Sequence, residues 1–343
     1  MPHRTFLWFI LPSLVAMLAF IAAPIASVVI QSVHVQHEQV VVTVENCGPF
    51  GCTEETTVDQ EATQALRDAE PLGRFAGLAI YKDRGHLAVD EVAAAWSAST
   101  SIGEFFGRIM NLPFSRALLF TLSYVFVVTP LTIILGLAVA LGVNGLPRLF
   151  KGPTIFVSLL PMMVTPLVGA LVLYWMLDQN GILGSALQRM TGDPTLSLRA
   201  SAPLTWITLF AYGIWSSAPF AFIVYYAGLQ TVPQDPLEAA MVDGASRWER
   251  IRYVVIPHLA PLTIFIALIQ LMDNFRVLEP VISFNAGANA PSLAYSIYND
   301  LGSEIARFNS AAATSVLTIL GVAILLMPVM WRTWKDFTSR GAH

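Results

Sequence analysis

Charge is what this sequence has least of. Only 12% of its 343 residues are Asp, Glu, Lys or Arg, 55% are hydrophobic, and the mean hydropathy is +0.62. A soluble globule of this length needs a larger polar fraction to cover its surface, so the composition places the chain in a bilayer. Signatures of chemistry are missing as well. There is no G-x-x-x-x-G-K-[ST], no H-E-x-x-H and no G-x-S-x-G, which leaves no sequence support for nucleotide hydrolysis, zinc proteolysis or serine-hydrolase chemistry in this chain. The six histidines are scattered. His34 and His37 stand three apart without a third ligand, so no metal site is expected. A net charge of −4 with no basic tract implies no nucleic acid. Cysteine is limited to Cys47 and Cys52, in Cys-Gly-Pro-Phe-Gly-Cys. Glycine and proline between them favour a turn that brings the thiols together, and a local disulfide is expected if that loop is outside the cell.

What the sequence does have is long apolar runs. Residues Phe6–Val33, Ala117–Pro147, Gly152–Leu177, Ala200–Gln234, Tyr253–Met272 and Phe308–Trp331 carry no Asp, Glu, Lys or Arg. Each is long enough for the roughly 20 residues that cross a hydrocarbon core, and six transmembrane helices are predicted. Arg4, then Arg148 and Lys151, then Arg247, Arg250 and Arg252, then Arg332, Lys335 and Arg340 lie in or beside connections of one side. Positive charge stays inside, so both termini are expected in the cytoplasm of a multi-pass inner (cytoplasmic) membrane protein. The loop 34–115 holds twelve acidic and five basic residues, which suits the outer face. A cleaved signal peptide is the rival for the first run, but the run is long for that role and its loss would leave five spans.

These assignments divide the chain into a first helix with its cytoplasmic end (1–33), an outer loop domain (34–115), a five-helix core (116–335) and a cytoplasmic tail (336–343). An outer loop of about 80 residues is too long for a plain connector. Val58–Ala69 and Val89–Trp96 have helical spacing, and Ser101–Pro113, with Phe105, Phe106, Ile109 and Met110 beside Glu104 and Arg108, resembles an amphipathic segment at the membrane interface. Prolines 130, 161, 166, 219, 261, 280 and 328 are expected to interrupt the second to sixth helices. Backbone carbonyls freed by proline need partners at membrane depth, which favours helices packed in protein around a cavity.

The fifth run departs from the rule that spans avoid polar groups. Counted from Pro257 at 1.5 Å per residue, Gln270 lies roughly 20 Å and Asn274 roughly 26 Å along the axis. Four residues apart, they share one face. Their amides suit a neutral hydroxylated solute, or equally hydrogen bonds between helices. Asp273, Arg276 and Glu279 form a second row, with Asp273 and Arg276 spaced for an ion pair at depth.

Between the fourth and fifth runs stands Glu238-Ala239-Ala240-Met241-Val242-Asp243-Gly244, then nine residues, then Val254-Val255-Ile256-Pro257. Glu at a helix start suits the macrodipole, two alanines permit close approach, and glycine leaves little room for a side chain while permitting a sharp turn. The pattern resembles the EAA loop of ABC-importer permeases, which ends I-x-L-P; Val254 and Ile256 replace the I and the L. Trp215-Ser216-Ser217-Ala218-Pro219-Phe220, Leu160-Pro161 and Asp273-Asn274-Phe275-Arg276-Val277 resemble the carbohydrate branch, the maltose-transporter-type permeases, over most of residues 117–332.

That resemblance implies an all-α, six-helix, type I importer permease fold with a small outer loop domain, importing a carbohydrate or glycoside by alternating access. An anionic sugar derivative or glycerol phosphate is the alternative solute, with Arg276 as counter-charge, and a stand-alone secondary transporter is the distant one. It implies an ATPase dimer coupled through 235–257, with Glu238, Ala239, Ala240, Asp243, Gly244 and Arg247 at the contact. A second, paralogous permease and an external solute-binding protein are the other implied partners besides the bilayer. ATP and Mg2+ would belong to the ATPase, with no cofactor in this chain. Aligned on the loop glycine and its proline, the family's sugar-contacting positions fall on Gln270, Asn274 and Val277 and on Ser216, Ser217 and Phe220. Asn274 matches in type, Gln270 is a polar replacement, and Val277 is apolar. The outer loop is much shorter than the maltose permease's outer domain at the same topological place.

Overall fold

A computed structural model describes residues 2–35, 37, 40–48, 51–193, 196–198, 201–303 and 307–340. The chain divides into two units, 1–115 with 296–319, and 116–295 with 320–343.

The first unit begins with helix α1 (Pro2–Met17), a π-helical turn (Leu18–Ala22) and helix α2 (Ala23–Gln31). The apolar stretch Trp8–Gln31 is 24 residues long, enough to cross a membrane. Its π turn lies just ahead of Pro24. A proline ring presses on the carbonyl four residues before it, and widening the preceding turn relieves that clash. Strand β1 (His34–Val35) follows, then the antiparallel hairpin of β2 (Val41–Gly48) and β3 (Gly51–Val58). Helix α3 (Gln60–Ala69) is capped by Asp59, whose carboxylate accepts from the Ala62 amide at 2.9 Å. Thr63 is buried and accepts from the Val40 amide, fixing helix to hairpin. Strand β4 (Arg74–Phe75) pairs with β1, and α4 (Ala79–Lys82), α5 (Val89–Ala98) and α6 (Ile102–Ile109) follow before the next long helix.

The strands depart from the helical expectation for this loop. Val58, assigned above to a helix, ends β3, and the helix begins two residues later. The Val- and Thr-rich run at 40–44 and 56–58 carried the signal, since β-branched side chains favour a pleated surface. Cys47 and Cys52 are partners in the hairpin register; their side chains, and with them the expected disulfide, lie outside the described residues.

The second unit is helical. Helix α7 (Pro113–Asn144) is followed by α8 (Arg148–Met163) and α9 (Pro166–Met176), which meet at 93°. The predicted third span is therefore broken. Pro166 is the cause: the residue before a proline is driven out of the α region, and Thr165 sits at φ −61°, ψ 143°. Helix α10 (Ile182–Thr191) precedes α11 (Ala202–Leu229), which is apolar all round and buried on several sides, as a central helix should be. Next come α12 (Gln234–Val242), α13 (Arg247–Arg250), a π turn (Ile251–Val255) ending just before Pro257, and α14 (Ile256–Phe275). Short α15 (Glu279–Ser283) has Pro280 in its first turn, so that proline opens a helix and kinks no span. Helices α16 (Leu293–Gly302) and α17 (Phe308–Arg340) close the chain.

Among the described residues five helices are long and apolar enough to span, and the bent pair α8–α9, counted as one span, makes a sixth. Two apolar clusters hold this unit. One gathers Phe120, Tyr124 and Val128 of α7 with Leu209, Val277, Val281 and Phe284; the other gathers Ala140, Ala221, Phe222, Tyr225, Leu259 and Ile266. Helices α7 and α11 touch backbone to backbone at Gly136, where a Cβ would come within 2.5 Å of the Ala221 Cβ and 2.9 Å of the Phe222 nitrogen.

Candidate functional site

Two constellations stand at the two ends of one continuous helical segment, Arg247–Phe275. The first is the elbow formed by α12 and α13. Asp235 stands in the first turn of α12, and Glu238 lies mid-helix, so the macrodipole role expected of Glu238 belongs to Asp235. The chain turns at Gly244 with φ +78°. That conformation is costly for any residue with a Cβ. Space around Gly244 is open, so backbone conformation and not crowding selects glycine there. Ser246 caps α13: its hydroxyl accepts from the Glu249 amide at 3.3 Å, while the Glu249 carboxylate accepts from the Ser246 amide at 2.7 Å. This reciprocal box satisfies two otherwise orphaned donors.

Glu238, Ala239, Asp243, Gly244 and Arg247 are exposed, and Ala240 is half-buried. Met241, Val242 and Trp248 are exposed too, Val242 at 88%. Arg247 reaches the end of α7: a Cβ on Gly145 would meet its Nη2 at 2.8 Å. The guanidinium thus lies at a helix C-terminus, where the macrodipole favours a cation. Close by in the chain, Gln230 Nε2 donates to Asn144 Oδ1 at 3.3 Å.

The second constellation is the amide row of α14. Gln270 and Asn274 are only 4% and 5% exposed. Asn274 Nδ2 donates to Thr129 Oγ1 of α7 at 3.0 Å and to Gln270 Oε1 at 3.5 Å. Val277 is buried in the first apolar cluster. These three positions therefore come together inside the chain. On α11, Ser216 is half-buried and donates to the Gly213 carbonyl at 3.2 Å, Ser217 is half-buried, and the half-buried Phe220 ring lies 6.4 Å from that of Phe265. The polar row Asp273–Arg276 forms its ion pair at 2.8 Å, with the two side chains 48% and 69% exposed. The pair expected at depth exists, but this chain does not bury it.

Thr129 was not singled out in the sequence. An isolated threonine in an apolar run has no periodic signal, and only packing reveals that it meets an amide 145 positions away. Thr132, one turn on, is fully buried, and its hydroxyl has no hydrogen-bond partner among the described residues. A cavity of about 480 Å3 between α9 and α11 is lined by Val172, Leu173, Met176, Ile207, Tyr212 and Trp215, among others. Its one phenol, Tyr212, is already donating to the Pro166 carbonyl at 2.8 Å, so the cavity suits an apolar occupant and not sugar hydroxyls. The rings of His34 and His37 have separate partners, the Ile30 carbonyl and the Glu70 carboxylate.

Residues 99–331 match the family model described as the binding-protein-dependent transport system inner membrane component. A trehalose/maltose transport system permease of Thermococcus litoralis is 29% identical over 216 residues, covering 58% of this chain and 68% of that protein. An sn-glycerol-3-phosphate transport system permease of Agrobacterium fabrum is 28% identical over 213 residues, 59% and 70% of the two chains. An inner membrane ABC transporter permease of Escherichia coli K12 is 30% identical over 233 residues, 64% and 75%. Among solved structures, a chain of a bacterial alginate ABC transporter, in complex with an alginate pentasaccharide-bound periplasmic protein, superposes with a TM-score of 0.57. It has 22% identity and covers 71% of this chain and 85% of that one. At that identity the likeness concerns the fold alone.

Proposed function

Because this chain belongs to the family of binding-protein-dependent transport system inner membrane components, we propose that it is the permease subunit of an ATP-driven importer for a carbohydrate or glycoside. It works beside a second, paralogous permease, an external solute-binding protein and an ATPase dimer that carries ATP and Mg2+. The exposed elbow carries this reading. Met241, Val242 and Trp248 lie on a loop read as cytoplasmic, next to the alanines of the motif, and apolar side chains left bare there call for a protein partner. The positive-φ turn at Gly244 and the capping box fix the angle between α12 and α13, so the elbow is a preformed shape for the ATPase to grip. Alternating access then follows as rigid-body motion of the helices it leads into.

The solute site lies between the amide row and α11. In this conformation Ser216, Ser217 and Phe220 are partly accessible, whereas Asn274 is held by Thr129. When α7 and α14 part, Asn274 and Gln270 exchange that partner for solute hydroxyls, Val277 supplies an apolar contact, and the Phe220 ring stacks on a sugar face. Transport per assembled complex tests this. Asn274→Ala should lower it several-fold while Thr129→Val should not; an equal effect of both would reduce the row to helix-to-helix bonding.

A second reading has its own support. The Arg276 guanidinium is the more exposed member of its ion pair with Asp273, and relatives with glycerol phosphate in their names cover as much of the chain as the maltose-type one does. An anionic sugar derivative or glycerol phosphate would use it as counter-charge. Ligand binding to the cognate binding protein, measured with neutral and charged sugars, separates the two.

A further inference from the structure

The outer part of the first unit carries bare apolar side chains in two strips, each tied by chain or by hydrogen bonds to the end of a membrane span. The first strip is Leu72, Phe75 and Leu78. Phe75 lies in β4, whose partner β1 begins three residues after the first span ends at Gln31. The stitching is dense. The Ala76 amide donates to the Val33 carbonyl at 2.8 Å, Tyr81 donates its hydroxyl hydrogen to Ser32 Oγ at 2.6 Å, and His34 meets the Phe75 ring edge-on. Asn309, one residue into the last span, donates its amide to the Gln31 carbonyl at 3.3 Å and to the His34 carbonyl. Two span ends therefore fix this strip within about 10 Å of the level where the helices leave the hydrocarbon.

The second strip is Trp96 with Ile102 and Phe106 of α6. Ile102 is 72% exposed, and Phe106 follows it by one turn on the same face. Phe105 turns towards α5, its ring edge-on to Trp96 at 5.0 Å. Glu104 and Arg108 occupy the opposite face, bonded at 2.7 Å. The Arg108 guanidinium and the Thr100 amide and hydroxyl hold the Glu104 carboxyl down to about 2, so that face stays charged. Only residues 110–112 separate α6 from the span that opens at Pro113.

We propose that the outer loop domain is seated on the bilayer, with the Leu72–Leu78 and Trp96–Phe106 strips inserted into the outer leaflet at the boundary between headgroups and acyl chains. The geometry is that of an interfacial amphipathic segment: apolar face down, Glu104 and Arg108 up, and an indole at the depth where tryptophan is enriched. The binding protein and a second copy of this chain are the competing occupants. Continuity with three span ends favours lipid, because any face fixed that close to the hydrocarbon meets lipid first.

Spin labels at Phe75→Cys, Ile102→Cys and Phe106→Cys, on a Cys47→Ser/Cys52→Ser background, test this in the assembled complex reconstituted in phosphatidylethanolamine/phosphatidylglycerol vesicles. Labels at Gln64→Cys and Glu104→Cys serve as water-side controls. The expected result is a ratio of oxygen to nickel-chelate accessibility at least threefold higher at the three apolar positions than at the controls. Equal ratios at all five overturn the proposal. So does a loss of accessibility to both quenchers at 75, 102 and 106 when binding protein is added, which would make the strips a protein interface. A check without cysteines is quenching by lipids brominated near the headgroup: the quenched fraction should fall when Trp96→Tyr is introduced, and an unchanged fraction overturns it.

Discussion

The elbow at 234–250 and the amide row at 270–277 stand at two ends of one segment, yet they are held in opposite ways. The elbow is local. Its turn, cap and exposure are set by residues within three or four positions of each other, Gly244 with its positive φ and Ser246 with Glu249. The amide row is non-local: its shape depends on Thr129, far away in sequence, and on an apolar cluster built from four or more helices. On the proposed function the elbow is a surface for another subunit, which has to be finished before that subunit arrives, and local interactions achieve this. On the same proposal the amide row opens and closes, and such a site has to be held by contacts between elements, because those are what a rigid-body motion exchanges.

The largest effect is expected at the elbow. Gly244→Val puts a β-branched side chain at φ +78°, a strain of roughly 1–3 kcal/mol that the turn relieves only by changing the angle between α12 and α13. Transport per complex should fall tenfold or more, with membrane insertion and yield near wild type. Normal transport with normal stimulation of the ATPase would remove the elbow from the coupling path.

At the amide row, Asn274→Ala leaves the Thr129 hydroxyl and the Gln270 carbonyl without their partner. It should cost about 1–3 kcal/mol of stability in addition to the several-fold transport loss given above. Thermal unfolding of the detergent-solubilised complex reads the first term, and uptake per complex reads the second. A stability loss alone would place the row entirely on the packing side of the comparison.

A smaller effect is expected where the two regions share a neighbour. Gly145→Val at the end of α7 would displace the Arg247 guanidinium, which a Cβ there approaches to 2.8 Å. Uptake per ATP hydrolysed should fall two- to fivefold, since α7 also carries Thr129. A proportional fall in both uptake and hydrolysis would mean that the contact merely helps the ATPase to bind. The smallest effect belongs to Asp273→Asn. An ion pair this exposed contributes at most about 1 kcal/mol. Yield should stay within twofold of wild type, and a collapse in yield would show that a neighbouring subunit buries the pair.

Membrane residence, five of the six predicted spans as single helices, and the turn of the elbow were legible in the sequence because each rests on short-range features: an uninterrupted apolar run, the spacing of a motif, a glycine at a turn. Even so, two local features were read only in part. Pro166, read as an interruption, breaks the third span at 93°, whereas Pro161 and Pro130 stay inside α8 and α7, so the presence of a proline does not by itself say which run breaks. The Val- and Thr-rich stretch before Cys47 made a hairpin where only helices were expected.

What the sequence by itself determined is therefore which segments are apolar enough to span and where the chain turns at Gly244, since hydrophobic length and turn chemistry act within a few residues. Which face of α14 turns inward was decided only by the tertiary structure. Gln270 with Asn274 and Asp273 with Arg276 are two polar rows on or at the end of the same helix, and periodicity cannot rank them. At membrane depth an amide finds more in a buried hydroxyl than in lipid, and an ion pair costs more to bury than to leave at a surface, so Thr129 drew one row into the core and left the other outside.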